Sequence, residues 1–258
     1  MGLLRGGRPL KRWRYVGVFC EEMMACAAIV QVGLAKQSFW AVLERPGAQL
    51  RERTRLLARR GSVELTAGRL RVSDAGVALD LELAEDDGIE AVCPHGKGQV
   101  WTRKQAGIAA HGTLALDGRP ARQIEALAVI DDTAGYHARV TEWWWSAGVG
   151  VNTDGVAVAW NLVSGVNDPP SGSERAVWIA GAPTETAPVS FAADLSSIRC
   201  EDGTELRFLA EAQRSRHDEL LIVGSDYRAP FGSFTGELPG GTPLAHGLGV
   251  VEHHRARW

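Results

Sequence analysis

Residues able to move a proton, or to wall an apolar ligand, concentrate in two stretches of this 258-residue chain. The first runs Asp131-Asp132-Thr133-Ala134-Gly135-Tyr136-His137-Ala138-Arg139-Val140-Thr141-Glu142-Trp143-Trp144-Trp145-Ser146. It holds three of the 9 Trp in a chain with only 3 Tyr and 6 Phe, and indole joins a large apolar area to one hydrogen-bond donor. Such rings suit the wall of an apolar pocket, with Trp160 as a further candidate, or they fill core between sheets. Asp131-Asp132 brings two like charges together, which can keep one carboxyl protonated near neutrality; the alternative is a pair that ends a loop and accepts backbone hydrogen bonds.

Read as a strand, this stretch sorts its side chains by alternation. Tyr136, Val140, Glu142, Trp144 and Ser146 share one face, and His137, Arg139, Thr141, Trp143 and Trp145 the other. Alternation alone leaves open which face looks inward. With the first inward, Glu142 lies desolvated between Val140 and Trp144, its pKa is raised, and it can serve as a general acid. With the second inward, His137 and Arg139 line a polar end and two indoles an apolar one.

The second stretch is Val250 to Trp258. Its two arginines mark the Val251, His253, Arg255 and Arg257 face as solvent-exposed, so Val250, Glu252, His254, Ala256 and Trp258 are expected to point into a barrel. A rise of roughly 3.3 Å per residue puts Glu252 and His254 about 7 Å apart on that face. The pair can relay a proton or close a barrel end structurally. Asp226-Tyr227-Arg228 ends a strand at a turn and either gates a barrel mouth or satisfies the turn. Adjacent His253 and His254 point to opposite sides and cannot share one metal ion, and no metal site is assigned. HExxH, GxSxG, a phosphate-loop GxxxxGK[ST] and a GxGxxG after a strand are all missing, so no cofactor is expected and common protease, hydrolase, kinase and nicotinamide classes are disfavoured.

The elements that must position these residues read as short alternating segments: Leu65 to Leu83, Thr141 to Val163, Ala176 to Ile179, Ile198 to Ala212 and Glu219 to Tyr227. Asp-Gly pairs at Asp87-Gly88, Asp117-Gly118, Asp154-Gly155 and Asp202-Gly203 punctuate them, a composition typical of tight hairpins. The chain is therefore expected to be all-β with few short helices, Gln49 to Arg60 being one helix candidate or an arginine-rich strand and loop. Its 30 Gly favour sheets that bend and close into barrels. Asn167 to Ser173 is expected as an exposed loop and Ala109 to Pro120 as the connection between two halves, giving domains 1–115 and 116–258. No tandem sequence repeat is evident.

Lys and Arg total 28 against 31 Asp and Glu, for a net charge of -3, which argues against nucleic-acid binding. The Arg51 to Arg60 run reads as a solvated face. The apolar window Val16 to Leu34 is interrupted by Glu21, Glu22, Gln31 and Gly33 before the roughly 20 apolar residues of a membrane helix, so no transmembrane segment is expected and core strands or a buried hairpin are. Cys20, Cys26, Cys93 and Cys200 lack CxxC spacing and no secretory signal precedes them, pointing to a cytoplasmic setting.

Four blocks carry a family resemblance: Arg12-Trp13-Arg14-Tyr15-Val16-Gly17-Val18, Asp131 to His137, Ser225-Asp226-Tyr227-Arg228-Ala229-Pro230-Phe231-Gly232, and Gly249-Val250-Val251-Glu252-His253-His254. Together they resemble DUF2804, a bacterial domain-of-unknown-function family, from Arg12 to Trp258. That family is similar, at a distance, to paired lipocalin-like barrel proteins, which include carotenoid 1,2-hydratases, tocopherol cyclases and natural-product cyclases. The resemblance implies two consecutive antiparallel lipocalin-like β-barrels packed together around an apolar cavity, and it supplies no catalytic residues. The resulting expectation is a hydrophobic small-molecule ligand such as an isoprenoid, polyketide or lipid, with cofactor-free hydration, cyclisation or isomerisation. Asp131, Asp132, His137, Glu142, Glu252 and His254 are the candidate catalytic groups, and Tyr136, Trp143, Trp144, Trp145, Trp160, Asp226 and Tyr227 the candidate ligand contacts. The competing expectation is a non-catalytic carrier or a structural protein.

Overall fold

The computed structural model describes residues 2–56, 61–220 and 223–257. A small hairpin, β1 (Leu4–Arg5) with β2 (Arg8–Pro9), precedes two large antiparallel sheets. The first sheet contains β3 (Lys11–Phe19), β4 (Met23–Val32), β5 (Ala35–Glu44), β6 (Gln49–Arg55), β7 (Val63–Thr66), β8 (Arg69–Asp74), β9 (Val77–Leu83), β10 (Ile89–His95), β11 (Gly98–Leu116) and β12 (Arg122–Gly135). The second contains β13 (Val140–Asn152), β14 (Ala157–Ser164), β15 (Ala176–Ile179), β16 (Ala182–Glu185), β17 (Val189–Phe191), β18 (Ser197–Cys200), β19 (Glu205–Leu220), β20 (Val223–Leu238) and β21 (Thr242–Arg257). Among the described residues the one helical turn is a 3-10 turn at Arg45–Gly47.

The strand orders are β6-β5-β4-β3-β12-β11-β9-β8-β7 and β16-β15-β14-β13-β21-β20-β19-β18-β17, with β10 added to β11 in the first. Each half follows the same path: four strands step outward, and the chain then crosses over and steps back until its last strand pairs with its first. Lys11 lies opposite Gly135 in one half and Val140 opposite Arg257 in the other. Each sheet is thus a barrel closed by its first and last strands and open between its fourth and fifth. The structure is the all-β pair of barrels that the sequence resemblance implies.

Alternation distributes the core into three layers. Val16, Met23, Trp40, Leu70, Leu79 and Leu114 fill the first barrel, and Trp160, Leu162, Phe208, Phe234 and Val251 fill the second. Between the barrels lie Tyr15, Phe19, Met24 and Val129 from one side and Trp145, Trp178, Phe231 and Val250 from the other. Strand β4 shows why the Val16 to Leu34 window is so apolar: Met23, Ala25 and Ala27 point into the barrel and Met24, Cys26 and Ala28 into the seam. A strand buried on both faces reads as a continuous apolar run rather than an alternating one. Alanines at 28, 41, 106, 147, 159 and 176 in the seam let the two sheets approach closely.

The expected boundary near residue 115 coincides with the end of β11, and the chain passes from the first sheet to the second at 136–139, because β12 returns along β3. Ala109 to Pro120 is correspondingly the end of β11 and its hairpin turn, where Asp117 (φ 52) and Gly118 (φ 75) both adopt the left-handed backbone that a type I′ hairpin needs. Gln49 to Arg55 is strand, and residues 57–60 of that candidate helix lie outside the described residues. Glu219 to Tyr227 spans a β19–β20 hairpin, with 221–222 outside the described residues.

Candidate active site

The polar groups cluster between the barrels, where β3, β11 and β12 face β13, β20 and β21. Strand β21 sends Val250 and Glu252 to the seam while Val251 enters the second barrel. The expected pairing of Glu252 with His254 on one face is present, but that face looks into the seam and not into a barrel, and Val251 is buried rather than solvated.

Glu252 is 9% exposed, and its Oε1 accepts a 2.9 Å hydrogen bond from Trp143 Nε1. His254 Nδ1 lies 3.9 Å from the same oxygen, and its Nε2 is 2.8 Å from Ser225 Oγ. The imidazole is sandwiched between Trp143, at 4.3 Å between ring centroids, and Tyr227, at 5.2 Å. Tyr15 meets Trp145 edge to face at 5.3 Å. Glu252 therefore sits beside a cage of aromatic rings whose outer members, Trp143, Tyr227 and Ser225, are only partly buried.

The other acids of the seam are paired with lysine or arginine, and among the described residues Glu252 is not. Lys104 Nζ bridges Asp131 Oδ1 at 2.6 Å and Glu174 Oε1 at 3.2 Å. Arg214, buried to 5% side-chain exposure, holds Glu52 at 2.7 Å, donates to Tyr227 Oη at 3.3 Å, and lies 4.4 Å over the Phe39 ring. Burial accordingly pushes the Glu252 carboxyl up to about 7, with the Asp131 charge adding to the rise and the Trp143 hydrogen bond opposing it. A carboxyl poised near neutrality can give up or take a proton at physiological pH. Burial moves His254 the other way, to about 3, so its imidazole rests neutral.

The Asp131-Asp132 pair does not act as two facing carboxyls, because neighbours on β12 point to opposite faces. Asp131 enters the seam, where it also accepts from Trp13 Nε1 at 2.9 Å and Thr133 Oγ1 at 2.7 Å. Asp132 turns into the first barrel's mouth and is held by Arg14 at 2.7 Å and Arg103 at 2.9 Å. Glu142 is likewise not the desolvated acid of the first-face reading: its side chain is 40% exposed and bonds His253 Nε2 at 2.9 Å. Trp144 stacks on that same His253 at 4.6 Å, so His253 and His254 do lie on opposite faces.

The three tryptophans divide accordingly. Trp143 and Trp145 face the seam, Trp145 donating to Asn161 Oδ1 at 2.8 Å, whereas Trp144 lies over the second barrel. Trp160 is core in that barrel, donating to Ser146 Oγ at 3.1 Å, and it is not at the polar cluster. Tyr136 and His137 belong to the 136–139 connection and not to β13. Tyr136 Oη donates to Gly2 O at 2.6 Å; His137, packed on Trp13 and His95, is held at about 3 by burial and the nearby Lys11 charge. Asp226 is exposed on β20, and Tyr227 turns inward beside it.

The family model described as "Domain of unknown function (DUF2804)" matches residues 58–258. The chain belongs to this family. No curated protein matches it by sequence. Among solved structures, a putative AttH from Nitrosomonas europaea aligns with a TM-score of 0.62 and 14% identity, covering 94% of this chain and 91% of that one. Kievitone hydratase from Nectria haematococca aligns with a TM-score of 0.60 and 12% identity, covering 94% and 88%. A protein titled CghA follows at 0.53 and 8%, covering 96% and 88%. These likenesses establish a shared fold.

Three seam residues of this DUF2804 protein escape sequence reading. Lys104 escapes because a β-bulge between Ala106 and Ile108, with Gly107 at φ 75, switches the face of β11 midway. Glu174 escapes because it follows the Pro- and Ser-rich loop, whose tip at 170–172 is exposed while its ends are buried, Asn167 Nδ2 donating to Glu174 Oε2 at 2.9 Å. Arg214 sits in a strand so charged that its alternation reads as solvated; the one signal is an aromatic, Tyr227, on the neighbouring strand β20 of the same hairpin.

Proposed function

We propose that this protein takes an apolar small molecule at the seam between its barrels and moves a proton on it with Glu252, in a cofactor-free hydration, cyclisation or isomerisation. The observation that carries the reading is the buried carboxyl of Glu252, in no ion pair with lysine or arginine among the described residues and poised at about 7 beside Trp143, His254 and Tyr227. In its protonated form Glu252 donates to an alkene carbon, and the electron-rich faces of the rings stabilise the cation that forms. Water then adds, or an internal nucleophile closes a ring, and the proton so released returns to the Glu252 carboxylate; loss of a neighbouring C–H proton to it gives the isomer. His254, 3.9 Å from the carboxyl, and Ser225, bonded to its other ring nitrogen, lie between Glu252 and the partly exposed edge of the cage. The shared fold with kievitone hydratase supports the class of reaction, though not the substrate.

A second reading, a carrier or structural protein, is favoured by one observation: Lys104 and Asp131 from the first sheet with Glu174 from the β14–β15 loop of the second half form an ion cluster that fastens the halves. Native mass spectrometry of the protein purified from its own host, followed by extraction, identifies a co-purifying apolar molecule. Incubating that molecule with protein in heavy water separates the readings. Deuterium entering the ligand with the parent and not with Glu252→Gln supports proton transfer; a bound ligand that never exchanges leaves the carrier reading.

A further inference from the structure

A cavity of about 500 Å³ opens at the mouth of the first barrel, on the opposite face of β12 from the seam. Its size is within the range that takes a small organic ligand. Four cationic side chains line it, Arg12, Arg14, Lys36 and Arg103, against one carboxylate, Asp132. Asp132 is already neutralised by Arg14 and Arg103, and Glu85 just behind is paired with Arg14. Arg12 spends its Nε and Nη2 on the neutral Gln31 amide, at 2.9 and 2.7 Å, and among the described residues Lys36 pairs with no carboxylate. The Nε atoms of Arg14 and Arg103 are buried without a hydrogen-bond partner. The mouth therefore carries a surplus of positive charge and of unused donors within a chain whose net charge is -3. Beside the charges the wall is apolar, formed by Ile29, Leu65 and the Trp101 ring.

Cation surplus over an apolar wall is complementary to an amphiphile. We propose that the first barrel's mouth binds a molecule with an oxyanion head and an apolar body, the head on Arg12 and Lys36 and the body against Ile29, Leu65 and Trp101. Guanidinium forks suit a carboxylate bidentately, and two new charge-assisted bonds are expected to separate a charged from a neutral head by about tenfold or more. This site is independent of Glu252 and stands whether or not the seam is catalytic.

Isothermal titration with dodecanoate, dodecanol and acetate tests it. Dodecanoate, kept below its micellar concentration, is expected to bind at least tenfold more tightly than dodecanol, and acetate not to compete at equal concentration. The double variant Arg12→Gln/Lys36→Gln, altered only at the barrel rim, is expected to bring dodecanoate within about threefold of dodecanol, and Glu252→Gln to leave it unchanged. Equal binding of acid and alcohol, no dodecanoate binding, competition by acetate alone, or a double variant that binds as the parent does would each overturn the proposal.

Discussion

Glu252 owes its poise to what is missing around it. Asp131, Glu174 and Glu52 hold the seam's cations, so the remaining carboxyl is most easily buried neutral. The consequence for stability has a definite sign. Its folded value of about 7 lies above the ordinary 4.5, so the stabilisation from the protonated form is full below 4.5 and is lost as pH rises through 7, by roughly 3 kcal/mol. Glu252→Gln keeps an acceptor for Trp143 and removes this dependence; denaturant titrations should find its stability gain over the parent larger at pH 8 than at pH 5 by about 2–3 kcal/mol. His254 and His137, held at about 3, act oppositely, because the unfolded chain takes up their protons first and stability falls as pH drops below 6.5. Balanced against one another, these three groups place a local maximum of parent stability at about pH 7, measurable by thermal unfolding across pH. Trp143→Phe deletes the hydrogen bond that opposes the rise, so the Glu252 titration, followed by carboxyl ¹³C NMR, should move further upward.

At the level of strands, the seam depends on β11 changing face at Gly107. Without that bulge Lys104 and Ile108 would share a side, and the amine would enter the apolar interior of the first barrel. Lys104→Met leaves Asp131 and Glu174 buried together without their cation, a change expected to cost about 3–5 kcal/mol, read as a drop in denaturation midpoint. The same strands show where sequence reading succeeds and fails. Alternation put Glu252 with His254 and separated His254 from His253, since period-two geometry survives any environment. It misjudged what each face meets, because Arg255 and Arg257 at the strand end disguised the burial of Val251 farther in. Asp-Gly turns at 117–118, 154–155 and 202–203 fell at hairpins, but nothing local marks that β12 returns to β3 across the whole of residues 20–121. Bulges and inward-folded loops such as 167–174 are decided by tertiary packing.

For the molecule as a whole, the middle layer matters as much as the two barrel interiors. Tyr15, Phe19 and Met24 would be exposed on a lone first half, and Trp145, Phe231 and Val250 on a lone second half. The two are therefore expected to unfold as one cooperative unit, with calorimetric and van't Hoff enthalpies equal. Phe231→Ala, 1% exposed in the seam, should lower the single transition by about 3–5 kcal/mol; two resolved transitions would instead mean that the barrels stand alone.

Because each barrel's first and last strands are neighbours, Lys11, Gly135, Val140 and Arg257 gather at one rim. A unit that starts and finishes at one place can be joined head to tail by a tether of only four residues, 136–139, with no long crossover. The architecture is in that sense ready-made for tandem copying, and afterwards the copies are free to diverge: one mouth gathers arginines, while the face that the copies share is left to shelter a solitary acid.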